Sequence, residues 1–212
     1  MKLYYISGLG ANEKAFSHIE FPSQFEKIFL PWIQPNVNED LENYAKRMAK
    51  DINENEDFYL VGLSFGGIMA QEINRIKPAK KVIIISSIKN HDEKPLFMHF
   101  SKRTWAHKLI PTSFFTSDKL VSYAFFRNLY SNKLPSLNDI FEYRDSYYLK
   151  WSINQIIHWK PTYSTKNIIH IHGDKDPVFP FHKIKNPILV KGGNHIMIIQ
   201  KSKKINEILK DI

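Results

Sequence analysis

Gly62-Leu63-Ser64-Phe65-Gly66 spells G-x-S-x-G, with Gly67 just beyond. Its serine can be a nucleophile only with help. A hydroxyl needs a base to take its proton, and the base needs a carboxylate to orient it. Two later stretches offer those groups. "HGDKDPVFP" carries Asp174 and Asp176, and "GGNHIMI" carries His195. The order is serine, aspartate, histidine. Such a set does acyl transfer: the serine attacks a carbonyl, the histidine moves the proton, and water later releases the acyl group. The chain has no cysteine, so thiol catalysis, disulfides and thiolate metal sites are all excluded.

Three side chains far apart in sequence must be brought together by rigid elements. Six nearly continuous apolar runs, rich in β-branched and aromatic residues, read as buried parallel strands: 3–7, 27–31, 58–63, 81–87, 167–173 and 187–192. Helical patterns lie between or after them. In "NEDLENYAKRMAKDIN" Leu41, Tyr44, Ala45, Met48 and Ile52 share one face, "FGGIMAQEINRIK" runs up to Pro78, and "KSKKINEILKDI" closes the chain. Alternating strands and helices predict an α/β architecture, with a mainly parallel open sheet of about six strands covered on both faces. Ser64 then falls on a sharp strand-to-helix turn. Small residues two before and two after it let the neighbouring backbone come close. Asp174, Asp176 and His195 fall just past later strands, at the edge where open parallel sheets hold their sites.

The alternation stops between His91 and Tyr163. More than half of the aromatic residues fall there, and "KLVSYAFFRNLY" and "DIFEYRDSYYLKWSINQIIHW" look helical. The expected division is a core of 1–90 and 164–212 with a helical insertion over 91–163. The insertion reads as a lid over the sheet edge or as a subdomain packed beside it, and the sequence leaves both open.

"GLSFGG", "HGDKDPVFP" and "GGNH" together resemble the α/β-hydrolase fold superfamily, and "SGLGANEKAF" resembles its oxyanion loop. The resemblance spans nearly the whole chain, with the aromatic insertion where these proteins carry a helical cap. It implies a carboxylesterase-like serine hydrolase in which Ser64 is nucleophile and His195 general base. It implies Asp176 as the acid, three residues after Gly173 and shortly before Val178-Phe179-Pro180, with Asp174 as the alternative. It implies an oxyanion hole made by the backbone N–H groups of Phe65 and Leu9, leaving the Phe65 side chain free to shape the pocket. Ser7 stands where many relatives have histidine. The antiparallel strand pair that usually opens the family's sheet is not visible. The implied substrate is a small molecule with an apolar or aromatic group, attacked without cofactor or metal. Thioester or C–C hydrolysis, lyase chemistry and a non-catalytic binding role share the fold.

Other patterns are weaker. "GLGANE" has Glu13 where a dinucleotide loop needs its third glycine. His170, His172 and Asp174 resemble part of H-x-H-x-D-H, but Lys175 replaces the last histidine. The plainer reading is two buried, hydrogen-bonded histidines. The net charge of +9 is spread along the chain, so no nucleic-acid partner is expected. No apolar run reaches the about 18 residues of a membrane span. The N-terminal run reads as a strand and not a leader. Together these point to a cytoplasmic protein with no membrane partner.

Overall fold

A computed structural model describes residues 1–98, 100, 137–163 and 166–212. The segment 119–130, expected helical, lies outside the described residues. Six strands form one sheet: β1 (Lys2–Ile6), β2 (Glu26–Phe29), β3 (Phe58–Leu63), β4 (Lys81–Ile85), β5 (Ile168–Gly173) and β6 (Ile188–Val190). Their order is β2-β1-β3-β4-β5-β6, and every neighbouring pair is parallel. The chain steps from β1 outward to β2, then returns past β1 to lay down β3 to β6 in turn. The direction reverses between β1 and β3, the place where open α/β sheets form a crevice beyond their carboxyl ends.

Strand side chains alternate between two cores. On one face Tyr4, Ile6, Leu60, Val82 and Ile84 pack against α1 (Leu41–Met48) and α2 (Phe65–Ile76). On the other, Leu3, Val61, Ile83, Ile85 and Ile171 pack against Phe16, Phe21 and Phe25 and the C-terminal helices. The four inner strands, β1, β3, β4 and β5, are covered on both faces, which is why they read as continuous apolar runs rather than alternating ones. Asp40 caps α1 by accepting from the Asn43 N–H at 2.7 Å. The Lys77 backbone turns extended before Pro78 and ends α2.

Several strand ends and helix breaks differ from the expectation: β2 stops at Phe29 and β6 at Val190, each two residues early. The fourth strand stops at Ile85, not at residue 87, because Ser86 takes φ 49° and turns the chain out of the sheet. The stretch 139–159 is not one helix. α3 (Leu137–Ile140) and α4 (Ser146–His158) are separated at 141–145, where Phe141 forms an antiparallel bridge with Ala11 and Tyr143 N–H donates to Gly10 O at 3.0 Å. Asp145 then caps α4 through the Tyr148 N–H at 2.8 Å. The last helix is also two, α5 (Met197–Gln200) and α6 (Ser202–Lys210). Within the expected insertion, Tyr148, Leu149 and Trp151 of α4 are buried in the same core as α1 and α2. Among the described residues no helix is long and apolar enough to cross a membrane.

Candidate active site

β3 ends at Leu63, and Ser64 turns the chain directly into α2. Its backbone takes φ 51°, ψ −116°, a conformation that costs an L-residue about 1–3 kcal/mol. Neighbouring bonds hold it there. Ser64 N–H donates to Ile85 O at 2.9 Å, and Ser64 O accepts from Gly67 N–H at 2.9 Å and from Ser87 Oγ at 2.7 Å. The turn also needs close backbone contact. A Cβ on Gly66 would sit 2.4 Å from Ser7 O, at the end of β1. The spacing of small residues around Ser64 therefore has a direct steric cause.

The structure brings Ser64, His195 and Asp176 together. Ser64 Oγ lies 2.9 Å from His195 Nε2. His195 Nδ1 lies 2.9 Å from Asp176 Oδ2 and 3.1 Å from Oδ1. A carboxylate can only accept, so Nδ1 carries the proton and leaves the Nε2 lone pair facing the serine hydroxyl. All three are buried. Burial alone would raise the Asp176 carboxyl. The charge and hydrogen bond of His195, with help from His172 and the Phe179 N–H, outweigh burial and hold it below its ordinary value. Asp176 Oδ1 also accepts from the N–H groups of Val178 at 2.8 Å and Phe179 at 3.0 Å.

The acid loop follows β5 and the histidine loop follows β6, and the two are locked together. Lys175 N–H donates to Gly193 O at 2.9 Å, and a Cβ on Gly173 would lie 2.1 Å from that same oxygen. Asp174 takes no part in the contact with His195. Its Oδ1 accepts from Gly192 N–H at 2.6 Å, tying the two loops at the surface.

Leu9 lies in the loop after β1, beside Ser64. Among the described residues, neither the Leu9 nor the Phe65 N–H meets an acceptor. The loop is heavily fixed. Trp32 Nε1–H donates to Gly8 O at 2.9 Å, Ser7 Oγ donates to Ala11 O, and Asn12 N–H donates to Ile140 O at 2.8 Å. Ser7 thus closes the turn with its own side chain. The Phe65 side chain does not shape a pocket. It is fully buried and stacks on Trp32 with centroids 4.9 Å apart. An apolar cavity does open beside Ser64 and His195, walled by Leu9, Leu63, Ile140, Phe141, Ile198 and Ile199.

His170 and His172 are buried and hydrogen-bonded, the plainer of the two readings of that pair. Nε2 of each lies within reach of a carbonyl, Ser87 O at 3.0 Å and Phe179 O at 2.8 Å. Burial first, then the neighbouring His172, push His170 down to about 3. Trp32 and Ser87 support the site from outside its motifs, and His172 opens the acid-loop motif. Nothing local marks Trp32 or Ser87, since each acts through a partner brought near only by the sheet.

No family model and no curated protein matches this sequence. Solved structures share its fold. A lipase-esterase related protein of Clostridium acetobutylicum is 16% identical, with a TM-score of 0.67 over 99% of this chain and 93% of that one. A thermophilic esterase of Thermogutta terrifontis is 10% identical, with a TM-score of 0.67 over 100% and 88%. A thioesterase of the prodiginine pathway of Streptomyces coelicolor is 13% identical, with a TM-score of 0.62 over 100% and 90%. These are α/β-hydrolase folds, and this chain has that fold. At such identities the likeness establishes architecture alone.

Proposed function

We propose that this α/β-hydrolase-fold protein is a serine hydrolase that cleaves an ester or related acyl bond of a small apolar or aromatic molecule through an acyl-enzyme. The observation that carries the reading is the unbroken contact from Ser64 Oγ to His195 and on to Asp176, at 2.9 Å and 2.9 Å. His195 takes the serine proton as Oγ attacks the carbonyl, then gives it to the leaving group. Asp176 fixes the tautomer and stabilises the imidazolium that forms. The Leu9 and Phe65 N–H groups receive the developing oxyanion. Phe65 begins a helix, whose N-terminal amides and dipole favour negative charge there. Losing one such donor typically costs about 3 kcal/mol of barrier. Water activated by His195 releases the acyl group.

The apolar cavity supports an uncharged acyl or leaving group. Likeness to a thioesterase as well as to esterases supports the thioester as the second substrate class. The test is turnover of p-nitrophenyl esters and acyl-CoA thioesters by wild type and Ser64→Ala. Hydrolysis of either class that disappears in Ser64→Ala is expected. Turnover that survives the substitution rules the reading out.

A further inference from the structure

His172 lies outside the contact that carries the proposed reaction, yet it sits directly behind it. It projects from β5, fully buried, and its Nε2 is 2.8 Å from Phe179 O. A carbonyl only accepts, so Nε2 bears the proton. The same nitrogen is 3.6 Å from Asp176 Oδ2. Nδ1, which then carries the lone pair, has no hydrogen-bond partner among the described residues. Phe179 is the pivot of the arrangement. Its N–H donates to Asp176 Oδ1 at 3.0 Å, and its ring meets the His195 ring edge-on with centroids 5.7 Å apart. One residue thus touches both the acid and the base, and its free carbonyl is held by His172. The titratable groups around His172 are His170, whose ring centroid is 5.2 Å away, with Asp176 and His195.

We propose that His172 is a positioning residue for the reaction. By donating from Nε2 to Phe179 O it locks the acid loop, so that the Phe179 N–H holds Asp176 and the Phe179 ring braces His195. This rests on the reading of Ser64, His195 and Asp176 given above. A group in this place acts on the transition state and not on substrate binding, because it touches neither the cavity nor Ser64. Burying a hydrogen-bonded imidazole where an aliphatic side chain would pack is a cost that fold alone does not demand.

The test compares His172→Gln with His172→Asn. Gln can place its amide N–H near the position of Nε2, whereas the Asn amide is too short to reach Phe179 O. Both keep a neutral, polar side chain in the core. The readouts are kcat and KM on a p-nitrophenyl ester and the rate of inactivation by a fluorophosphonate, with melting temperature as the fold check. His172→Gln should stay near wild type in both. His172→Asn should lose about tenfold or more in kcat, with KM little changed, as a displaced catalytic pair does. Its inactivation by the fluorophosphonate should slow in step with kcat, because both need the same contact between Ser64 and His195. An Asn variant with wild-type kcat and inactivation rate overturns the proposal and leaves the serine hydrolase reading standing. Equal losses in Gln and Asn also overturn it. Wild type that neither turns over ester nor reacts with the phosphonate fails at the earlier step and takes this proposal with it.

Discussion

Ser64 keeps a strained backbone because three main-chain and side-chain bonds fix the atoms on either side of it. That is a costly way to hold a turn and a useful way to present a hydroxyl. At this scale the two aspartates separate cleanly. Asp176→Asn should lower kcat by a factor on the order of 10³ to 10⁴, since the amide favours the wrong tautomer of His195. Asp174→Asn leaves the contact with His195 intact and should cost less than about 1 kcal/mol of stability with kcat preserved. Steady-state kinetics on the pair of variants checks both. The family resemblance already pointed to Asp176; the structure adds the use of Asp174, which ties Gly192 across to the other loop. His170 makes a different kind of prediction. Its folded value is pushed to about 3 from 6.5, so below 6.5 the unfolded chain binds a proton that the folded chain does not. The stabilising difference is therefore whole above 6.5 and is lost as pH falls toward 3, with a slope of at most about 1.4 kcal/mol per pH unit. Urea unfolding across that window should show a shallower slope in His170→Gln than in wild type. Equal slopes would show that His170 is protonated equally in both states.

The loop after β1 is the element on which the oxyanion reading depends. Its anchors come from distant parts of the chain: Trp32 before α1, Ile140 at the end of α3 and Tyr143 beyond it. Trp32→Phe keeps an aromatic ring against Phe65 but removes the N–H that holds Gly8 O. It should cost about 1 kcal/mol of stability and a larger share of kcat than of substrate binding, because Leu9 N–H shifts from where charge develops. Denaturant unfolding together with kcat and KM separates the two effects. None of these anchors has a sequence signature. A helical period runs through 139–159 in the sequence, and the chain breaks it at 141–145 only because Ala11 and Gly10 take its backbone bonds. Local periodicity carries no information about a partner some 130 residues away. The Asp145 cap was equally open to being read as one more acidic residue inside a long helix. Replacing it with Ala should cost α4 about 1 kcal/mol.

For the whole molecule, the four inner strands were legible because a strand covered on both faces must be apolar along its length. All six lie where apolar runs fall, with ends shifted by a few residues. The reversal between β1 and β3 then places the Leu9 loop next to Ser64, and two more strand ends deliver Asp176 and His195. The order of serine, acid and histidine in the sequence is thus the order in which the chain adds strands from that reversal outward. Substrate choice was not legible, because it depends on walls contributed by separate segments, Ile140 and Phe141 from one side and Ile198 and Ile199 from the other. Incubating the folded protein with a fluorophosphonate and mapping the modified peptide tests the central claim most directly. The expected result is one phosphonyl group on Ser64, formed with wild type and abolished in Ser64→Ala and in unfolded chain. Modification at another residue, or none in folded wild type, contradicts the account.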